Sequence, residues 1–314
     1  MPDIVISEFM DEAAIADLSA DWSLVYDPEL VDSPEDLAGL GAEARALIVR
    51  NRTQVRGALL EVYPALEVVG RLGVGLDNID LEACRARGIP VCPATGANDT
   101  AVAEYVIASL FVLLRGTFGA TAEMISGAWP RTRLMGLEVS RRKLGLVGFG
   151  AIARETARRA KALGMEVVAC DPFVPAGDPA WGREGVTQMN FDEMLESVEA
   201  VSLHVPLTEA TRHLIDKRAL GRMRPGAVVI NAARGGVVDE AALAEALRAG
   251  RLAGAALDVF ETEPLTAEAG VRFRGLENLI LTPHIAGVTQ EANRRVSAVT
   301  ARNVRRVLEE REGR

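Results

Sequence analysis

The sequence predicts an α/β protein built from two doubly wound parallel sheets, and three observations carry the prediction. Short apolar, β-branched runs alternate with helical stretches along nearly the whole chain, the rhythm of βαβ units, which assemble into parallel sheets. The alternation falls into two series separated by one long apolar helical stretch. The chain has 314 residues, enough for about two domains at roughly 100 to 200 residues each.

The first series begins with IVIS from Ile4 and continues through SLVY from Ser23, ALIV from Ala46, LEVVG from Leu66 and IPVC from Ile89, with helical stretches over 36–40 and 78–87. Runs of this length and composition between polar or Gly/Pro punctuation read as strands. The apolar stretch 101–114 follows. It contains Glu104 and falls short of the roughly 20 residues that cross a bilayer, so a buried helix over 100–115 is expected, and no membrane partner. The second series runs KLGLVG from Lys143, MEVVAC from Met165, AVSLHV from Ala200, GAVVIN from Gly226, LAGAALDV from Leu252 and NLILTP from Asn278, with helices expected over 151–163 and 239–248. Asp239 is placed to cap the latter helix and Gly250 to end it. A last helix over 290–310 follows the completed second series, and the pattern alone leaves open which domain holds it.

Composition narrows the function classes. Hydrophobic residues make up 49% and charged residues 25% of the chain, ordinary globular values that exclude extended disorder. There are 35 Lys and Arg against 44 Asp and Glu, a net charge of −9, which disfavours a nucleic-acid partner. An anionic ligand must then be met by local Arg clusters. Cys84, Cys92 and Cys170 are odd in number and lack CxxC spacing, so buried reduced thiols in a cytoplasmic protein are expected, with neither a disulfide framework nor a metal site. The N-terminus shows no basic leader and no apolar core, and no signal peptide is expected.

KLGLVGFGAIAR sets Gly148, Gly150 and Ala153 in a GxGxxA arrangement directly after a strand and before a helix. The first glycine permits the tight turn, the second admits backbone N–H groups to a pyrophosphate, and the small Ala153 lets helix and strand pack closely. The helix N-terminus then presents its positive end to the anion. Asp171 follows the next strand about twenty residues on, where a carboxylate accepts hydrogen bonds from an adenosine ribose and repels a 2′-phosphate. A Rossmann/flavodoxin-like sheet that binds NAD rather than NADP is expected.

Three histidines occur, His204, His213 and His284, which narrows the search for a proton donor acting near neutral pH. His284 follows NLILTP, at the carboxyl end of a strand, where open α/β sheets hold their ligands. His204 ends SLHVP and reads as a loop histidine lining the nucleotide site, while His213 reads as surface. Arg234, in NAARGG after GAVVIN, is followed by two glycines that leave its guanidinium uncrowded, and a planar fork there suits a carboxylate. Asp258, Glu261 and Glu263 lie in LDVFETEP past another strand. A carboxylate beside His284 would favour its protonated form and fix its orientation, and spacing alone does not choose among the three.

Taken together, GRLGVGLDNID from Gly70, NDTAVAE from Asn98, GLVGFGAIA, the DP pair at Asp171, HVPLT from His204, NAARGGVVDE, LDVFETEP and LTPHIAG resemble the D-isomer-specific 2-hydroxyacid dehydrogenase family over nearly the whole chain, close to its short 3-phosphoglycerate dehydrogenase-like branch. The resemblance implies an NAD-dependent oxidoreductase acting on the CH–OH group of a small 2-hydroxy acid, in a cleft between two domains. It implies His284 as acid/base, Glu263 as its partner, and Arg234 on the substrate's carboxylate and carbonyl oxygens, with the backbone around Val74 and Gly75 also holding the carboxylate. Toward the dinucleotide it implies Gly148, Gly150, Ala151, Ile152, Asp171, His204, Val205, Pro206, Ala232, Asp258 and Gly287. The family layout assigns 1–97 with 288–314 to a substrate-binding domain and 98–287 to an inserted NAD-binding domain, and implies a homodimer formed through the cofactor domain and the helix near Tyr105. The third fingerprint residue departs from Gly but is the small Ala153. No regulatory extension like that of longer phosphoglycerate dehydrogenases is evident, so feedback control is not expected.

Arg50 and Arg52, in LIVRNRTQV, match positions where phosphoglycerate dehydrogenases carry basic residues, and two guanidinium groups there suit a phosphate or sulfonate. Arg131 and Arg133 beside Trp129 are further candidates. The expected substrate is a D-configured 2-hydroxy acid with a distal anion, 3-phosphoglycerate or (S)-3-sulfolactate, with a glyoxylate or hydroxypyruvate reductase as the alternative. An NAD-sensing corepressor shares the fold, but nothing in the chain resembles a peptide-docking extension. Formate dehydrogenase pairs its histidine with Gln, and Glu263 argues against it.

Overall fold

The computed structural model describes residues 2–313. The chain divides into two compact units, one formed by the residues through Asn98 together with those from Val288 onward, the other by Asp99–Gly287.

The first unit carries five parallel strands, β1 (Ile4–Ile6), β2 (Leu24–Tyr26), β3 (Ala46–Val49), β4 (Val68–Arg71) and β5 (Val91–Pro93), in the order β2-β1-β3-β4-β5. This is the flavodoxin-like order, whose switch point lies between β1 and β3. Successive side chains of a strand face opposite sides, and both sides are covered, so the strands are apolar throughout. Ile4, Ile6, Ile48 and Val68 pack with Leu18, Val296, Val304 and Leu308 on one face. Val5, Leu47, Val49 and Val69 pack with Leu37, Leu60 and Tyr63 on the other. The last helix, Gln290–Glu312, thus completes this unit; the Thr289 hydroxyl caps it by accepting from Ala292 N at 3.0 Å.

The second unit carries seven parallel strands, β6 (Lys143–Val147), β7 (Glu166–Cys170), β8 (Thr187–Gln188), β9 (Ala200–Leu203), β10 (Ala227–Asn231), β11 (Leu252–Leu257) and β12 (Leu279–Leu281), in the order β12-β11-β10-β9-β6-β7-β8. The chain moves outward from β6 to β8, then returns to β9 and moves the other way, which puts the switch point between β6 and β9. The helix Asp99–Arg115 covers one face through Val106, Leu110 and Leu114, against Leu144, Leu146, Ile230 and Ala256. On the opposite face Val201, Leu203, Val229 and Leu257 pack with Leu243 and Leu247. Asp239 caps the helix Glu240–Arg248 by accepting from Ala242 N at 2.9 Å. Among the described residues no single helix is long and apolar enough to cross a membrane. The three cysteines are buried and free of disulfides; burial pushes the Cys170 thiol up to about 12.

Candidate active site

The turn after β6 meets the loop after β9 across the switch point. Gly148 has φ +90°, and a Cβ there would stand 2.5 Å from the His204 carbonyl oxygen, so both backbone conformation and close approach require glycine. Gly150 precedes the helix Ala151–Ala162, and the space where its Cβ would project is open for at least 4 Å. That helix has no side-chain cap and no acidic residue in its first turn, which leaves its first amide groups, including those of Ala151 and Ile152, to an outside acceptor. Asp171, after β7, lies against the turn: one carboxylate oxygen accepts from Phe149 N at 2.8 Å and the other from Phe173 N at 2.9 Å. Beneath the turn Phe149 stacks on Trp181, with centroids 4.3 Å apart. An open cradle, an uncapped helix and a pinned carboxylate fit a dinucleotide. His204 Nε2 lies 3.0 Å from Ser202 Oγ, and burial lowers its pKa to about 4, so it is neutral and held. Val205 and Pro206 continue its loop, while Ala232 follows β10 and Gly287 lies beyond β12.

Two loops bring His284 and Glu263 together. His284 Nδ1 stands 2.7 Å from Glu263 Oε2, while Glu263 Oε1 accepts from Phe260 N at 3.0 Å. An ionised carboxylate only accepts, so Nδ1 carries a hydrogen and Nε2 is left for a ligand. Burial opposes the charge on Glu263, but the hydrogen bond and charge of His284, the Phe260 amide and the Arg234 guanidinium outweigh it and hold the carboxyl below the ordinary glutamate value. Glu261 turns elsewhere, to His213 at 3.1 Å and Arg272 at 3.2 Å. Spacing leaves these two acids equivalent; the folded chain separates them.

His284 has φ +52°, a left-handed backbone that costs a non-glycine residue of order 1 kcal/mol. Asp258 holds it there. This carboxylate is 1% exposed; Oδ1 accepts from Ile285 N at 2.8 Å and from the Thr282 hydroxyl at 2.6 Å, and Oδ2 accepts from Ala286 N at 2.8 Å. His284 N donates to the Asp258 carbonyl at 2.8 Å. Since Thr282 spends its hydrogen on Asp258, the Tyr105 hydroxyl 2.7 Å away must donate to Thr282. Asp258, expected toward the dinucleotide, thus spends its carboxylate on the loop that carries His284. Tyr105 and Thr282 have no motif signal for this role, since the contacts span 24 and 177 positions.

Arg234 sits on the turn after β10. Asn231 Nδ2 donates to the Arg234 carbonyl at 2.9 Å, and Ala233 N donates to Asn231 Oδ1 at 3.1 Å. A Cβ at Gly235 would fall 1.7 Å from the Phe260 carbonyl oxygen, so that glycine lets the Arg234 turn close on the chain leading to Glu263. Arg234 Nη1 also donates to the Ala233 carbonyl at 2.6 Å.

The remaining candidates lie in the first unit or on the surface. Glu8, 5% exposed, accepts backbone N–H groups from Arg50 at 2.8 Å, Arg52 at 3.2 Å and Thr53 at 3.0 Å. Arg52 forms an ion pair with Asp32, and Arg50 Nη2 donates to Asn293. Val74 is half-buried and Gly75 buried in the turn after β4. Arg133 pairs with Glu123, and Trp129 is exposed.

Residues 107–286 match the family model described as D-isomer specific 2-hydroxyacid dehydrogenase, NAD binding domain. The chain is 57% identical over 308 residues to an (S)-sulfolactate dehydrogenase of Chromohalobacter salexigens, covering 98% of this chain and 99% of that one. It is 38% identical over 262 residues to a hydroxypyruvate reductase of Thermotoga maritima, 83% and 84% of the two chains. Among solved structures, D-lactate dehydrogenase from Aquifex aeolicus, complexed with NAD and lactic acid, aligns with a TM-score of 0.85 at 26% identity over 98% of this chain and 95% of that one.

Proposed function

The chain belongs to the D-isomer-specific 2-hydroxyacid dehydrogenase family, and on that premise we propose that it interconverts (S)-3-sulfolactate and the corresponding 2-oxo acid. It is an NAD-dependent oxidoreductase acting on the CH–OH group of its donor.

The observation that carries the catalytic assignment is the 2.7 Å contact between His284 Nδ1 and Glu263 Oε2. NAD, when bound, supplies the acceptor for the hydride leaving the alcohol carbon and, in reduced form, the donor for the reverse reaction. His284 Nε2 takes the hydroxyl proton in oxidation and returns it in reduction. Glu263 balances the positive charge of the ring while it holds that proton and keeps Nε2 directed outward. Arg234 stabilises negative charge on the substrate oxygen, and its planar fork suits the substrate carboxylate. Gly148, Gly150 and the first-turn amides would hold the pyrophosphate, and Asp171 the ribose.

The substrate assignment is supported by the extent of the likeness to a sulfolactate dehydrogenase and by the basic loop after β3, the loop of Arg50 and Arg52, which we assign to the distal anion. A panel of hydroxy acids with NAD tests it. (S)-3-sulfolactate is expected to exceed glycerate in kcat/KM by about tenfold or more; equal rates on glycerate contradict it. We also assign the chain to a homodimer, supported by the exposed apolar side chains of Phe118, Ile125, Trp129 and Met135 just beyond the long helix. Light scattering that reads the mass of a single chain contradicts that assignment.

A further inference from the structure

We propose that Asp32 sets the anion selectivity of the first unit: by engaging Arg52 it leaves Arg50 alone to read the distal group, which favours a singly charged sulfonate over a doubly charged phosphate. The proposal rests on the assignment of the loop after β3 to the distal anion.

Asp32, Glu8, Phe9, Arg50 and Arg52 all follow strands at the carboxyl end of the first sheet. Glu8 and Phe9 follow β1, Arg50 and Arg52 follow β3, and these neighbouring strands flank the switch point, where such sheets bind ligands. The buried Glu8 carboxylate pins the backbone of both arginines, so the two guanidinium groups start from one fixed loop. Their side chains then diverge. Arg52 gives both of its terminal nitrogens to Asp32, Nη1 to Oδ2 at 3.1 Å and Nη2 to Oδ1, so its fork already holds a carboxylate. Arg50 lies over the Phe9 ring at 5.8 Å and donates Nη2 to Asn293, a neutral acceptor. Among the described residues no carboxylate accepts a hydrogen bond from its guanidinium, and Nε and Nη1 remain for a ligand.

The charges decide which ligand fits. Two guanidinium groups face two carboxylates, Glu8 and Asp32, so the group is neutral before anything binds. A sulfonate brings one negative charge, and one open fork meets it. A phosphate monoester brings nearly two above its second pKa of about 6, and the second meets no uncommitted cation beside Asp32. The Arg52–Asp32 pair is exposed and therefore of modest strength, so the expected preference is graded rather than absolute.

The test is Asp32→Asn, an exposed change that spares the core, with kcat/KM for (S)-3-sulfolactate and D-3-phosphoglycerate measured side by side. The phosphate-to-sulfonate ratio is expected to rise about tenfold, and the rise to vanish when Arg52→Gln is added. In the unaltered protein the same ratio should also climb as pH falls from about 8 toward 6 and the phosphate takes up a proton; both substrates meet the same catalytic groups, so the ratio isolates the distal end. A ratio that stays within about twofold in Asp32→Asn, or a rise that survives in the double variant, overturns the proposal. Failure of the underlying reading looks different: the unaltered protein would then oxidise neither anion faster than glycerate, and the proposal falls with it.

Discussion

In each unit a buried carboxylate at the carboxyl end of a strand ties down the loop of a neighbouring strand. Glu8, after β1, accepts three amide N–H groups from the loop after β3, and Asp258, after β11, accepts two amides and a hydroxyl from the loop after β12. What is tied down differs. Glu8 fixes the backbone of two arginines, groups that carry charge and exchange no proton near neutral pH. Asp258 fixes a histidine in a left-handed conformation, aimed at a second carboxylate that holds its ring. On the proposed roles, one anchoring device would serve charge recognition in the first unit and proton transfer in the second, and the two can be perturbed separately.

Among the groups around His284, the largest effect is expected at Arg234. Arg234→Gln removes a charge that stabilises the substrate oxygen as it becomes negative, and kcat should fall about 10² to 10³-fold, beyond any rise in KM from the weakened carboxylate contact, with the NAD dissociation constant within about twofold. A loss confined to KM would place Arg234 among the recognition groups instead. Asp258→Asn should cost up to about 10²-fold in kcat through a misaimed His284 and about 1 to 3 kcal/mol in denaturant unfolding, because the new amide group faces backbone N–H donors. Stability lost with kcat intact would separate the anchor from the chemistry.

Glu263→Gln is the subtler change: the amide oxygen can still accept from Nδ1, while the charge and the bond from Phe260 N are lost; about a tenfold fall in kcat is expected. Its pH dependence carries a definite sign. The folded-state pKa of Glu263 is lowered, by His284 and Arg234 against the opposing effect of burial, so its contribution to stability is present above the unfolded glutamate value of about 4.3 and is lost as pH falls through the folded value. Unfolding free energies of the two proteins should differ by about 1 kcal/mol or less at neutral pH, given the partial exposure of the pair, and converge below about pH 4. A gap that widens on acidification reverses the assigned direction.

Much of this was legible before any coordinates, and for identifiable reasons. Apolar runs such as ALIV and AVVIN are strands because parallel sheets are buried on both faces, and that burial is written into consecutive residues. The turn at Gly148 is legible because a φ of +90° beside a carbonyl admits no side chain. β8 is not, since two residues show no period, and the short helices starting after Asp178, Asn190 and Asp216 depend on single capping contacts. The pattern could not say where the last helix belongs; its partners Leu18 and Ile48 lie hundreds of positions away. Spacing could not choose Glu263 over Glu261, because both sit on one loop; the resemblance named Glu263, and the path of the β12 loop is the physical reason His284 meets it. The pairing of Arg52 with Asp32 was hidden for the same reason, an acid after β2 meeting a base after β3.

The most direct test of the division between recognition and chemistry is one matrix of kcat/KM values: Arg50→Gln and His284→Gln, each assayed on (S)-3-sulfolactate and on glycerate. His284→Gln should depress both substrates alike, by about 10² to 10⁴-fold, while Arg50→Gln should depress sulfolactate about tenfold or more beyond any change on glycerate. Equal losses on both substrates from Arg50→Gln, or a loss of less than about tenfold on either substrate from His284→Gln, would contradict the account.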